Sequence, residues 1–303
     1  MDFLSEAKNI VGAKNVFTDE KMDKHTTFRV GGPAKYMAAP ASEVQVQRLA
    51  ALCAAEGMPY YVVGNGSNIL VSDAGFEGMI ILIGNGMSEI NVNGRTVTAK
   101  AGALLSKLGR TAADAGLRGL EFAAGIPGSV GGACVMNAGA YGGELKDVVT
   151  RVRALAPDSE LRDFGIEELD FGYRRSIFSN GGYTVVEAEF LLEYGNPEEI
   201  NARMEELAAK RRAKQPLEYP SAGSAFKRPE GFFAGKLIED AGLKGKGVGK
   251  ACVSEKHAGF IINKGGATAQ DVYDTIKMVK DAVKLEYGII LEPEVKIIGE
   301  FCD

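Results

Sequence analysis

Two glycine-rich stretches carry the first chemical signal of this 303-residue chain: Gly64-Asn65-Gly66-Ser67-Asn68 and Gly125-Ile126-Pro127-Gly128-Ser129-Val130-Gly131-Gly132. Each follows an apolar run. Glycine reaches positive φ without steric cost and lets backbone N–H groups close on an anion, so both stretches suit a phosphate-bearing cofactor. Neither is a standard nucleotide signature. No glycine is followed by Lys-Ser or Lys-Thr in the P-loop frame, and Ile69 stands where a third Rossmann glycine belongs. Two tight structural turns explain the loops about as well as a pyrophosphate cradle. Their co-occurrence favours binding.

Three further patterns set a polar group among residues able to bury it, an environment that shifts pKa values and strengthens hydrogen bonds. They are Phe171-Gly172-Tyr173-Arg174-Arg175-Ser176-Ile177-Phe178, Ser221-Ala222-Gly223-Ser224-Ala225-Phe226-Lys227-Arg228-Pro229 and Leu291-Glu292-Pro293-Glu294-Val295. Each has a duller reading: Arg174 as half of a surface ion pair, Ser224 as a turn serine, Glu294 as an edge charge. Other chemistries are poorly supported. The two histidines, His25 and His257, lie far apart with no metal-ligand spacing, His257 reads as a loop histidine, and no serine sits in a G-x-S-x-G elbow.

The elements that must position these groups follow from the pattern. Ser42 with Gln45 reads as a capping box opening a helix that stops at Gly57, with strands expected over 35–39 and 60–63; the second strand runs into the first glycine loop. Ligands of α/β folds bind at such strand ends. A hairpin turning at Asn93-Gly94 joins 89–92 to 95–100. A helix near 104–115 precedes the second glycine loop, and strands follow near 148–155 and 184–192. A polar helix from Pro197 ends in a connector, Lys210 to Pro216. The last third reads as a separate lobe, with helices near 234–241 and 269–285 and strands near 259–262 and 295–299.

Composition narrows the class. With 46% hydrophobic residues and a net charge of -5 spread along its length, the chain can build sizeable cores and lacks a nucleic-acid footprint. Four scattered cysteines form no C-x-x-C pair, so buried free thiols are expected, without a zinc or dithiol site. No signal peptide or bilayer-spanning run is evident, which favours a reducing cytoplasm.

Taken in order, the motifs resemble those of the UDP-N-acetylenolpyruvoylglucosamine reductases (UDP-N-acetylmuramate dehydrogenases), in their shorter type without a tyrosine loop. The likeness runs from about Thr26 to Glu300 through Thr27-Phe28-Arg29-Val30-Gly31-Gly32, both glycine loops, Asn137-Ala138-Gly139-Ala140-Tyr141, Tyr173-Arg174-x-Ser176, Gly223-Ser224-x-Phe226-Lys227 and Pro293-Glu294-Val295. It implies an α+β chain: a two-subdomain FAD-binding fold of the vanillyl-alcohol-oxidase/PCMH type plus a C-terminal α/β substrate-binding domain. The expected divisions are 1–84, 85–212 and 213–303, with the last strand free to return to the first subdomain.

The resemblance further implies FAD, held by Gly64, Asn65, Gly66, Ser67, Asn68, Gly125, Ile126, Pro127, Gly128, Ser129, Gly131 and Gly132, with NADPH as reductant; with no histidine in or beside either loop, the FAD is expected to be noncovalent, and no metal is expected. The substrate would be UDP-N-acetylglucosamine enolpyruvate, reduced to UDP-N-acetylmuramate for peptidoglycan synthesis, and hence for cell shape and division. Arg174, Ser224 and Glu294 take the catalytic roles; Tyr173, Lys214, Lys227 and Arg228 those of substrate binding, with Arg211 and Arg212 able to share the work of Lys214. The expected form is a cytoplasmic monomer without nucleic-acid or membrane partners. Arg228 stands where many relatives have asparagine, and the stretch from Gly249 to Gly259 leaves little room for a closing loop. An FAD-dependent oxidase or dehydrogenase of another sugar or alcohol, or a non-catalytic nucleotide-sugar sensor, are the alternatives.

Overall fold

The computed structural model describes residues 2–302, Asn180 through its backbone alone, and separates the chain into two compact units. The first contains Met1–Phe17, Tyr36–Asn65 and Gly78–Arg211; the second contains Thr18–Lys35, Gly66–Glu77 and Arg212–Asp303. The sequence suggests three consecutive domains. The structure instead draws two N-terminal segments into the unit that holds the C-terminal third.

In the first unit, helix α1 (Phe3–Val11) starts where the Asp2 side chain accepts the Ser5 N–H at 2.7 Å. Helix α2 (Glu43–Ala55) is capped by Ser42, which accepts from Gln45 N–H at 3.3 Å, and it buries Val46, Leu49, Ala50 and Cys53. The Gln45 side chain turns back one residue further than a capping box requires, accepting from Ala41 N–H at 2.7 Å. Strands Pro33–Ala38 and Tyr60–Val63 flank α2 as expected, but they are not neighbours: strand Phe76–Leu82 lies between them and pairs in parallel with Tyr60–Val63.

An antiparallel five-stranded sheet completes this unit, in the order Leu161–Gly165, Val149–Leu155, Thr184–Leu191, Thr96–Lys100, Ile90–Asn93. The outer hairpin pairs Asn93 with Thr96, so its turn residues are Gly94 and Arg95, one position later than the Asn-Gly signal suggests. Helix α3 (Leu105–Asp114) buries Leu105, Leu108, Gly109, Ala112 and Ala113, the i, i+3, i+4 stripe of a core-facing helix. The short helix α4 (Val130–Met136) begins inside the second glycine stretch and takes Val130, Gly131 and Gly132 into its first turn, and α5 (Pro197–Lys214) buries only Ile200, Met204 and Leu207.

The second unit is built on helices α6 (Ala234–Asp240) and α7 (Ala269–Tyr287). A small antiparallel sheet of Gly247–Val248, Ala251–Val253 and Ile261–Asn263 accompanies them. Thr268 caps α7 by accepting from Asp271 N–H at 3.0 Å, and Gly288 ends it in the left-handed conformation. The last strand, Lys296–Ile298, pairs in parallel with Ile69–Val71, both within this unit. Cys53, Cys134 and Cys252 are buried thiols; Cys302 departs from expectation and is exposed. No described helix is long and apolar enough to cross a membrane.

The Thr27-to-Gly32 motif belongs to this second core. Phe28 is fully buried there, its carbonyl accepting from Asn263 Nδ2 at 3.0 Å, and the buried Thr26 hydroxyl donates to the Val30 carbonyl at 2.8 Å. A Cβ on Gly32 would stand 2.1 Å from the Asp73 carbonyl oxygen, a backbone atom that cannot step aside. Gly32→Ala is expected to cost about 1–3 kcal/mol of unfolding free energy, the usual range for overpacking. An unchanged denaturant midpoint would show that this approach is not tight in solution.

Candidate active site

The sequence candidates fall in both units, and each group is built within its own. In the first unit the two glycine loops meet: Asn65 Nδ2 donates to the Pro127 carbonyl at 2.7 Å, and a Cβ on Gly64 would stand 2.2 Å from Ser129 Oγ. Not every loop N–H points outward. Ile126, Val130 and Gly131 donate to the carbonyls of Ala123, Ala103 and Ala101 at 3.0, 2.8 and 2.8 Å, and Gly131 lies where a Cβ would meet Ala101 Cβ at 2.9 Å. Gly131 is therefore packed closely against Ala101. A Cβ at Gly132 would meet only Ser129 Oγ, at 3.7 Å.

Arg211 extends this site. Its Cδ and Nη1 lie 3.3 and 3.4 Å from where a Cβ would stand on Gly125, so the guanidinium rests against the second loop's backbone. Burial holds its pKa below the usual guanidinium value, an effect that Tyr141 partly opposes. A desolvated cation beside a glycine loop gains most from an anion. The sequence offered only a run of basic residues at the end of α5, without showing which of them turns inward.

The Arg174 motif is held from below by a second motif. Gly172 and Arg175 exchange backbone hydrogen bonds of 3.0 and 3.2 Å, leaving Tyr173 and Arg174 as a two-residue turn, and Arg174 adopts a left-handed φ of 54°. Non-glycine residues rarely take that conformation, and it costs of order 1 kcal/mol unless the surroundings impose it. They do so here through Asn137, which is itself left-handed and buried. Its Nδ2 donates to the Gly172 carbonyl at 3.1 Å and to Glu144 Oε2 at 2.9 Å, while its Oδ1 accepts from Lys146 N–H at 2.9 Å. Ser176 is also buried, donating to the Val135 carbonyl at 2.7 Å.

The guanidinium of Arg174 lies 5.2 Å above the Tyr173 ring. Hydrogen bonds from Lys146 and Asn137 are the main causes that hold the Glu144 carboxyl below its usual range, with a smaller contribution from Arg174. Arg175 is turned toward Asp170, at 3.1 Å.

In the second unit, residues 224–227 run between two other segments as a short strand. Ala225 N–H donates to the Gly259 carbonyl at 2.8 Å, and the Ala225 carbonyl accepts from Glu294 N–H at 2.8 Å; Lys227 N–H donates to the Glu292 carbonyl at 2.9 Å. Ser224 pairs with Phe260 and Phe226 with Pro293 in isolated antiparallel bridges. Ser224 and Glu294 are thus brought together, both half-buried. Asn68, the last residue of the first glycine loop, holds Glu294 from its other side: its Nδ2 donates to the Glu294 carbonyl at 3.0 Å and its own carbonyl accepts from Lys296 N–H at 3.0 Å.

Among the expected substrate-binding residues, Tyr173 and Lys214 are exposed, Lys227 is ion-paired with Glu292, and the guanidinium of Arg228 lies 4.7 Å from the Phe233 ring centre. No group of three or more metal-ligating side chains occurs among the described residues.

Residues 215–298 match the domain family described as UDP-N-acetylenolpyruvoylglucosamine reductase, C-terminal domain, and residues 34–165 match the FAD binding domain family. The UDP-N-acetylenolpyruvoylglucosamine reductase of Agathobacter rectalis is 55% identical over 295 residues, 93% of this chain and 94% of the relative. The chain belongs to the UDP-N-acetylenolpyruvoylglucosamine reductase family. The Clostridioides difficile reductase of the same name is 48% identical over 292 residues, 96% of each chain.

The solved reductase from Thermus caldophilus superposes with a TM-score of 0.81 at 38% identity, covering 92% of this chain and 98% of that one. The pollen protein Phl p 4, a glucose dehydrogenase, matches at a TM-score of 0.51 and 16% identity over 65% of this chain and 45% of its own, which shows a shared fold. The α+β architecture with an FAD-binding domain is therefore that of the reductase family.

The residues present fit a flavin dinucleotide. The two loops meet at an Asn65 side chain and at Gly64, where a Cβ would displace the Ser129 hydroxyl, and a desolvated arginine rests on the second loop. The Asn137 junction is the more local feature to perturb. Asn137→Ala leaves the Lys146 N–H without its side-chain acceptor and takes one donor each from the Gly172 carbonyl, which keeps the Arg175 N–H, and from Glu144 Oε2; it is expected to lower unfolding free energy by about 1–3 kcal/mol. A thermal midpoint equal to that of the parent would mean that the Arg174 turn does not depend on this amide.

Proposed function

We propose that the chain reduces the enolpyruvyl group of UDP-N-acetylglucosamine enolpyruvate to UDP-N-acetylmuramate, with NADPH as electron donor. The observation that carries this reading is the short ladder that ties Ser224 to Glu294 through the Ala225 carbonyl, in a chain about half identical to reductases so named. A sensor that only binds a nucleotide sugar has no use for a serine and a glutamate fixed on neighbouring segments of one backbone ladder.

Gly64 to Asn68, Gly125 to Gly132 and Arg211 would hold the FAD, which when bound supplies a hydride to C3 of the enolpyruvyl group. Negative charge then develops at C2 and spreads into the adjacent carboxylate. Arg174 stabilises it, because a guanidinium stays protonated and grips a carboxylate in a two-pronged fork. The imposed left-handed turn presents that group without a search for conformation at the moment of reaction. Ser224 Oγ gives its proton to C2; a hydroxyl is a weak acid, but an enolate carbon is basic enough to take its proton when the two are aligned. Glu294 steadies the enol.

Lys214 and Arg228 serve the diphosphate, and Tyr173 contributes to substrate binding. Lys227 instead neutralises Glu292 at the ladder's edge, so its effect on substrate is indirect. No histidine lies in either glycine loop, which favours noncovalent FAD. Acid precipitation is expected to leave a colourless pellet; a yellow pellet would show a covalent link.

The half-reactions test the roles. Ser224→Ala is expected to be reduced by NADPH at a rate within about twofold of the parent while reoxidation by the sugar slows by at least about a hundredfold, the size of effect that loss of a general acid produces. Equal losses in both half-reactions would remove Ser224 as the proton donor.

A further inference from the structure

His257 lies beside Ser224 and has no role in the chemistry above. The half-buried imidazole accepts the Gly259 N–H at Nδ1, 3.1 Å away, and stands edge-on to Phe260 with ring centres 4.9 Å apart. A ring nitrogen that accepts carries no hydrogen, so the neutral ring holds its proton on Nε2. The Phe260 N–H returns to the His257 carbonyl at 3.0 Å, and Ser254 Oγ accepts from the N–H groups of Lys256 and His257 at 3.1 and 3.3 Å. These bonds close residues 254–260 into a compact turn.

That turn flanks the serine. The Gly259 carbonyl receives the Ala225 N–H, and Phe260 is the bridge partner of Ser224. A Cβ on Gly259 would stand 3.0 Å from His257 Cε1 and 3.8 Å from Ser224 Oγ. Ring, glycine and hydroxyl therefore share one small volume, and movement of the ring reaches the hydroxyl through a single residue.

We propose that His257 is the positioning residue for Ser224: its Nε2-protonated ring holds the Gly259 N–H and so aims the hydroxyl at the reacting carbon, a role that rests on the reductase activity proposed above. The ring does not touch the reacting atoms; it acts through Gly259. Burial lowers the imidazole pKa and favours the neutral ring, Lys244 and Lys214 push the same way, and a hydrogen bond with its own backbone carbonyl and the Glu239 carboxylate oppose them. As pH falls through that lowered value, Nδ1 takes a proton, can no longer accept from Gly259, and the alignment is lost.

The test compares His257→Leu, which fills similar space without an acceptor, with His257→Asn, whose Oδ1 can take the place of Nδ1. Each holoenzyme is reduced anaerobically by NADPH and then mixed with the enolpyruvyl UDP-sugar across a pH series. In H257L, reoxidation is expected to slow about ten- to a hundredfold, as loss of a buried acceptor predicts, while reduction by NADPH is unchanged. H257N is expected to recover to within about fivefold of the parent and to lack the parent's decline at acid pH.

Parent-like reoxidation in H257L, or an acid decline that persists in H257N, would overturn the proposal; the second criterion applies even if H257L does not fold. Histidine 15N spectra of the parent provide a readout independent of turnover, because the chain has two histidines and H257N assigns them. An Nε2-protonated tautomer is expected for His257, and an Nδ1-protonated one would overturn the geometry. A parent enzyme that NADPH reduces but the sugar does not reoxidise would instead refute the reductase activity, leaving the tautomer result to stand by itself.

Discussion

The backbone ladder that threads residues 224–227 between 259–260 on one side and 292–294 on the other is the constraint on which the chemistry proposed for Ser224 and Glu294 depends. Its bonds join chain segments separated by more than thirty residues on each side. Ser224 and Glu294 belong to no long strand or helix that would place them otherwise. Asn68 braces the same ladder from the end of the first glycine loop, so one short loop contributes Gly64 and Asn65 to the cofactor-side packing of the first unit and Asn68 to the support of Glu294 in the second. A substitution at Asn68 therefore acts on Glu294 as well as on the loop.

A comparable economy governs the first unit. Asn137 commits both amide hydrogens and its carbonyl oxygen to one junction, and with it supports a turn whose left-handed arginine would otherwise be disfavoured. The motifs Asn137 to Tyr141 and Tyr173 to Ser176 are thus one structural object. The first supplies the scaffold and the second the charge. Placing strain at Arg174 and compensating it with a buried amide fixes the backbone from which the guanidinium projects, as the charge-stabilising role proposed for it requires.

Much of this was legible in the sequence, because local signals agree with the fold: the Ser42 cap, the helices from Pro197 and Ala269, the strand that runs into the first glycine loop, and the helix before and strands after the second all form close to where periodicity and turn residues put them. What escaped was non-local. Nothing in the run Lys210 to Lys214 tells which basic side chain rests on Gly125, since helical neighbours differ only in the direction they face. The Thr27-to-Gly32 motif carries family likeness but no chemistry, and its reason is a backbone approach to Asp73 that only the folded chain reveals. The two-unit division was hidden for the same reason: segments 18–35 and 66–77 join the C-terminal third through pairing and burial and show no change of composition. His257 looks like a loop histidine until the Gly259 N–H is seen to point at its ring.

The central chemical claim is that a proton exchangeable with water reaches C2 while the hydride goes to C3. Turnover of the enolpyruvyl UDP-sugar with NADPH in D2O, followed by NMR of the lactyl group formed, tests it most directly. C2 is the position to read, because hydrogen on a reduced flavin nitrogen can itself exchange with water and blur the label at C3. Deuterium at C2 is the predicted result, since the Ser224 hydroxyl equilibrates with solvent. Protium at C2, transferred from NADPH, would place the hydride on the wrong carbon and contradict the assignment of Ser224, Arg174 and Glu294 together.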